Sequence, residues 1–167
     1  MFEFLLFLSF PAALAFAGAM DLFTMTIPNR ITIGLIIGFV VAAIAVPLGW
    51  DAIASHVGAG LLMLVIGIGM FSLGLLGGGD AKLLAGAALW FGFEGLMQYL
   101  LLVAIAGGLL VIVLLLYRSI APPLWLCRQE WAMRLHQKAG GVPYGIALAA
   151  GGLWLYPSTP WLANLAV

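Results

Sequence analysis

The sequence predicts an all-α membrane protein that crosses the bilayer about six times. Of its 167 residues, 65% are hydrophobic and 7% are charged, whereas soluble domains average about 45–50% apolar and about 25% charged residues. A chain this apolar cannot cover a water-facing surface with polar groups, so lipid must be the solvent for most of it. One helical crossing takes about 20 apolar residues. The length therefore allows about six crossings, and we expect a single transmembrane domain over residues 1–167 without a separate soluble domain.

Hydrophobic runs separated by polar residues, glycines and prolines mark the expected spans. They cover approximately residues 2–21, 31–49, 57–76, 81–92, 95–117 and 142–157. The first run carries Glu3 and no basic residue ahead of it, which is not the pattern of a cleaved secretory signal, so we expect it to remain as a span. The tail contains Pro157, Pro160 and Trp161, and we expect it to lie along the membrane interface.

The basic residues predict the orientation of these spans. If the N-terminus faces outward, all six Lys and Arg fall on the inner side of the membrane, as the positive-inside rule requires. They are Arg30, Lys82, Arg118, Arg128, Arg134 and Lys138. The same topology brings Asp21 and Asp80 to the inner face, one at the end of the first span and one at the start of the fourth. The basic loop at 118–140 is expected to contact anionic lipid headgroups.

Composition also excludes several classes of site. Six acidic residues balance the six basic ones and no basic run occurs, so nucleic-acid binding is not expected. Cys127 is the single cysteine, which excludes an internal disulfide and a multi-cysteine metal site. His56 and His136 fall in predicted loops on opposite faces and cannot form one site. We therefore expect no metal site built from these residues.

Asp21 and Asp80 are the candidate catalytic residues. An Asp at the centre of a membrane helix costs about 2.5–3.5 kcal/mol, and such residues usually serve a function. Two carboxylates about 4 Å apart repel by about 4 kcal/mol at an effective dielectric of about 20, so a close pair shares one proton. The ionised partner can then activate water while the protonated one donates to a peptide carbonyl. The alternative is a non-catalytic membrane subunit with structural or ion-binding aspartates, although a hard cation wants about six oxygen ligands.

The residues that flank the two aspartates can be interpreted either structurally or functionally. The glycines at 77–79 permit unusual backbone dihedrals, either for a turn between helices or for the approach of an extended substrate. Pro28 suits the first turn of a helix, and Asn29 suits the membrane interface. Lys82 is either an anchor on the inner side or a group that tunes or tethers Asp80.

Two segments resemble the catalytic motifs of type IV prepilin peptidases, a family of GxGD membrane aspartyl proteases. Residues 21–29 read DLFTMTIPN, which is similar to the first motif: an Asp, five residues, then Ile-Pro-Asn. Residues 77–84 read GGGDAKLL and resemble the GxGD signature followed by x-Lys-Leu. Residues 87–92 and the VPYGIA segment at 142–147 resemble later parts of the family pattern, in the family's order.

The resemblance implies a catalytic dyad of Asp21 and Asp80. The supporting motif residues would be Pro28, Asn29, Gly77, Gly79 and Lys82. Members of the family cleave the short basic leader of prepilins at the cytoplasmic face of the bacterial inner membrane, without a cofactor and typically after a glycine. The implied partner is therefore a prepilin with a basic leader and a hydrophobic helix.

The short connection between the first two spans indicates which branch of this family the chain resembles. Larger relatives carry a cytoplasmic domain there, often with paired CxxC motifs, and methylate the new N-terminus. Here the connection spans only a few residues and has no cysteine. The chain therefore resembles the minimal CpaA/TadV-like branch of Tad/Flp pilus systems, and methyltransferase activity is not expected.

Overall fold

A computed structural model describes residues 2–46, 48–137 and 141–163, and these residues form helices joined by short connections. The expected all-α membrane architecture is confirmed. In chain order the elements are α1 Phe2–Thr24, α2 Asn29–Ala45, α3 Trp50–Ser72, α4 Gly78–Ser119, α5 Glu130–His136, α6 Tyr144–Leu155, a 3₁₀ turn Tyr156–Ser158 and α7 Pro160–Ala163.

Within these described ranges, three helices are long and apolar enough to cross a membrane. They are α1, with its apolar stretch Leu6–Thr24, α3 and α4, while α2 is apolar but has 17 residues. Helix α4 contains 42 residues, which corresponds to about 63 Å at 1.5 Å per residue. That is about twice the hydrocarbon thickness of a bilayer, so α4 cannot be one straight crossing.

Helix α4 reverses direction at Gly92. This residue has φ 62° and ψ −177°, a conformation that glycine adopts far more readily than other residues. The rings of Phe91 and Tyr99 are 4.8 Å apart, although eight residues of straight helix would separate them by about 12 Å along its axis. We call residues 78–91 the first arm and residues 93–119 the second arm. The break that the sequence predicts near Gly92 is therefore a hairpin between two antiparallel crossings.

Small residues allow α6 to pack closely between α1 and the second arm of α4. A Cβ on Gly18 of α1 would lie 3.0 Å from Ala149, and a Cβ on Gly151 would lie 3.0 Å from the Val103 backbone nitrogen. Tyr99 of the second arm donates a hydrogen bond to the Leu148 carbonyl oxygen at 3.3 Å. Such close backbone approach is the usual basis of helix packing in lipid. It fixes the N-terminus of α6 beside the end of α1.

An aromatic cluster closes the opposite end of the bundle. Trp90 is buried and donates its indole N–H to the Leu35 carbonyl oxygen, and Trp161 donates to the Trp90 carbonyl oxygen. Trp161 is only 3% exposed. The Trp161 side chain therefore packs inside the bundle, where its indole finds both a hydrogen-bond acceptor and apolar neighbours, while the interfacial position of the tail stays a prediction.

Replacing Gly92 by Ala should destabilise the fold. A non-glycine residue in such a backbone conformation costs about 1–3 kcal/mol, and the added Cβ would lie 3.3 Å from the His56 ring. We expect the free energy of unfolding in detergent to fall by about that amount. Gly108→Ala is the matched control, because nothing lies within 4 Å of its added Cβ. Equal losses in both variants would contradict a special role for the Gly92 hairpin.

Candidate active site

Asp21 lies in the last turn of α1 and is 5% exposed. The helix ends at Thr24, whose hydroxyl donates to the Met20 carbonyl oxygen at 2.7 Å. Met25 follows with φ 55°, a left-handed conformation that is uncommon for a residue with a side chain. The chain reverses there, and buried Ile27 returns towards the carboxyl group of Asp21.

Asp80 lies in the first turn of α4 and is 9% exposed. Gly77 is the extended N-cap of this helix, and its N–H faces the Asp80 carboxyl group. A Cβ on Gly77 would lie 2.8 Å from Asp80 Oδ2, so a side chain at the N-cap would displace the Asp80 carboxyl group. Asp80 Oδ1 is buried and has no hydrogen-bond partner among the described residues. The Asp80 carboxyl group therefore interacts with the N–H of Gly77 at the start of the helix, while its Oδ1 atom is available to bind water or substrate.

The amide of Gly145 connects the two aspartates. Its N–H donates to Asp21 Oδ2 at 2.7 Å and also faces the carboxyl group of Asp80, which interacts electrostatically with Asp21. Gly145 is the second residue of α6, whose N-cap is Pro143. The first N–H groups of a helix have no acceptor within it, and this end carries a partial positive charge. The structure thus brings Asp21 and Asp80 together at the N-terminus of α6.

Two glycines allow this close assembly. A Cβ on Gly145 would lie 2.8 Å from both Asp21 Oδ2 and Ile27 Cδ1. A Cβ on Gly79 would lie 3.1 Å from Ile27 Cβ. Ile27 therefore packs against both α4 and α6, and larger side chains at either glycine would push the aspartates apart. Contact between a substrate and residues 77–79 stays a prediction, since Gly79 already has a packing partner in its own chain.

The remaining motif residues join the starts of α2 and α4. Pro28 is the N-cap of α2, and Asn29 is its first residue. Lys82 Nζ donates to Asn29 Oδ1 at 2.9 Å. The part of the chain that the structure describes shows no ion pair between Lys82 and Asp80. Lys82 therefore ties the first motif to the second through Asn29 and not through the aspartate.

The two histidines lie outside this site. The expectation that both fall in loops is wrong: His56 belongs to α3 and His136 ends α5. The Nδ1 atom of His56 is 2.8 Å from the Leu89 carbonyl oxygen, beside the Gly92 hairpin. No group of three or more His, Cys, Asp or Glu residues within the described ranges is arranged to hold a metal ion.

Gly145 is the site residue that sequence reasoning did not select. Gly145 does belong to a segment that resembles the family pattern, the VPYG sequence at 142–145. A glycine in an apolar helix is usually a packing residue, however, and the sequence does not reveal which amide faces a carboxylate 124 residues away.

A family model described as the type IV leader peptidase family matches residues 8–112. The chain belongs to this family. Type IV leader peptidases of this kind are membrane aspartyl proteases. The matched region contains Asp21, Asp80 and the motif residues beside them, whereas Gly145 lies beyond it. No curated protein and no solved structure matches the chain.

Proposed function

We propose that this leader peptidase is an aspartic endopeptidase that removes the short cytoplasmic leader from Flp-type prepilins, with Asp21 and Asp80 as its catalytic dyad. The observation that carries the proposal is the meeting of two buried aspartates at the Gly145 amide. The motif residues support the dyad: the Lys82–Asn29 bond and the packing of Gly79 against Ile27 hold the starts of α2 and α4 together. Pro28 and Gly77 are the N-caps of these two helices.

The dyad uses water as its nucleophile. The ionised carboxylate takes a proton from water as the water oxygen bonds to the scissile carbonyl carbon, and the protonated carboxyl group donates its proton to the carbonyl oxygen. The C–N bond then breaks as the nitrogen takes up the proton first removed from water, while the second carboxylate recovers its own proton from the former carbonyl oxygen, so that a free amine and a carboxylic acid leave and the dyad again holds one proton. The Gly145 N–H and the positive end of α6 stabilise the single negative charge that the pair carries. The reaction needs no cofactor.

The proposed location is the bacterial inner membrane, with the N-terminus outward and the dyad at the cytoplasmic face. Basic residues at the dyad's end of the bundle support this orientation. Arg134 donates to the Phe23 carbonyl oxygen at 3.1 Å, and Arg118 donates to the Leu135 carbonyl oxygen at 2.8 Å. Helix α5 therefore lies beside the end of α1, and Arg134 on it is the kind of charge that the positive-inside rule assigns to the cytoplasmic side.

Cleavage of a purified Flp-type prepilin in proteoliposomes tests the proposal. We expect the leader to be released as one intact peptide, cut after its final glycine, as mass spectrometry of both products would show. Added S-adenosylmethionine should leave the new N-terminus unmethylated, because the short α1–α2 connection carries no methyltransferase domain. An unprocessed prepilin, or a leader removed residue by residue, would contradict an endopeptidase of this specificity.

A further inference from the structure

An apolar groove runs along the outside of the bundle between α2 and α3, with the first arm of α4 as its floor. Its volume is about 540 Å³. The lining residues are Asn29, Thr32, Ile33, Ile36, Phe39, Val40, Val57, Gly60, Leu61, Leu64, Lys82, Ala85, Gly86 and Leu89. This groove is separate from the polar pocket beside the Gly92 hairpin, which lies at the other end of the bundle.

The groove has the dimensions and surface of a helix-binding site. Its α2 wall extends from Asn29 to Val40, which corresponds to about 16 Å, or three helical turns. Ile36 and Leu61 on the two walls are 46% and 57% exposed. The floor includes Ala85 and Gly86, and small residues allow another helix backbone to approach closely in lipid.

One positively charged side chain, Lys82, lies at one end of this apolar groove. Among the described residues, Lys82 is the only charged one that lines the groove, and its hydrogen-bond partner there, Asn29, is neutral. No carboxylate lies within ion-pairing distance of Lys82 in the ranges that the structure covers. The charge pattern therefore fits an occupant that is apolar along its length and acidic at the end that reaches Lys82.

The charged end of the groove adjoins the proposed catalytic dyad. Lys82 follows Asp80 by two residues in α4, and Asn29 follows Ile27, which packs against Gly145 and Gly79. A helix lying in the groove would therefore deliver the chain that continues from its inner end to the two aspartates.

We propose that this groove binds the first turns of the substrate's transmembrane helix and that Lys82 pairs with an acidic side chain on it. The identity of the substrate rests on the proposed function. The peptide bond to be cut lies just beyond the inner end of this helix, where the chain is extended. The Lys82 contact thus sets how far the helix can slide relative to the dyad, and with it the position of the cut.

Site-specific photocrosslinking tests occupation of the groove without requiring cleavage. The probe is a synthetic single-span peptide with a basic leader, a Leu/Ala helix and one Glu within the first two helical turns. A photoreactive residue replaces Ile36 or Leu61 in an Asp80→Asn background, and Leu115 is the control because it is 60% exposed on the second arm, outside the groove. We expect at least about tenfold more crosslinking at the groove positions. Equal crosslinking at Leu115 would overturn the proposal.

The two proposals fail in different ways in this experiment. Preferential crosslinking of the probe at Ile36 and Leu61, with no cleavage by the unmodified protein, would leave the groove standing and overturn the proposed function. Cleavage of the probe without preferential crosslinking would leave the function standing and overturn the groove as the docking site.

A charge-exchange experiment tests the partner of Lys82. For the unmodified enzyme, replacing Glu of the probe by Gln should raise KM by about tenfold, and in Lys82→Gln this difference between the two probes should nearly vanish. Lys82→Glu should prefer a probe with Lys in place of Glu. Arg30→Gln, which removes a neighbouring exposed charge outside the groove, should keep the tenfold difference. If Lys82→Gln raises KM equally for both probes, the lysine acts through its hydrogen bond to Asn29 and the proposed pairing is wrong.

Discussion

We expect Asp21→Asn and Asp80→Asn each to reduce the rate of leader cleavage by about 10³-fold or more. General acid–base groups contribute about 10²–10⁴-fold, and in a dyad the loss of either carboxyl group removes the shared proton on which both steps depend. Asparagine keeps the size of the side chain, so the Gly145 N–H retains an acceptor at position 21. Initial rates of prepilin processing, followed by mass spectrometry in proteoliposomes, measure the effect.

Asp51→Asn is the matched control for these two variants. Asp51 is an exposed aspartate in the first turn of α3, remote in the chain from both motifs. We expect it to cleave at the rate of the unmodified protein. Thermal unfolding in detergent should show all three variants folded. A variant at Asp21 or Asp80 that processes the leader at the unmodified rate would refute the dyad.

Gly145→Ala should lower the cleavage rate by about 10²-fold while the protein remains folded. The added Cβ would lie 2.8 Å from Asp21 Oδ2 and 2.9 Å from Asp21 Cβ, so the aspartate or the start of α6 must move. A misplacement of about 1 Å at a reacting group costs about 10²-fold in rate. Because the amide also faces Asp80, the shift alters the separation of the two carboxyl groups. The loss should appear in kcat, measured on the same prepilin.

Gly141→Ala provides the comparison four residues earlier. Among the residues that the structure describes, its added Cβ would meet only Met25 Cε, at an ordinary contact distance of 3.4 Å. We expect nearly unchanged kcat in this variant. If Gly145→Ala and Gly141→Ala cleave equally fast, the Gly145 amide does not position the dyad.

The sequence predicts those features of the fold that depend on whether a segment lies in lipid or in water. Hydrophobic runs reveal the spans because every apolar residue in them avoids water, and the break at Gly92 is visible as an interruption of such a run. The placement of Asp21 and Asp80 at one face is also a prediction from topology, since the expected spans bring the end of one and the start of another to the same side, but their approach to the Gly145 amide is not.

Hydropathy does not predict which helix surfaces contact each other in the folded protein. Trp161 looks like an interfacial residue, but it packs against Trp90 because the tail folds back over the bundle. Gly145 looks like a packing glycine, although its amide holds Asp21. In a chain where most positions are apolar, hydropathy does not distinguish a face turned to lipid from one turned to another helix. The groove between α2 and α3 is therefore visible only in three dimensions.

Comparison of the Asp21→Asn/Asp80→Asn double variant with the two single variants tests most directly whether the aspartates act as one unit. Residues that share one catalytic task are strongly non-additive. Leader release is counted by mass spectrometry over hours, so that residual rates about 10⁶-fold below the unmodified rate can still be resolved. If the two aspartates act as one unit, the double variant should cleave within about threefold of the slower single variant. A double variant whose loss equals the product of the two single losses would contradict this interpretation.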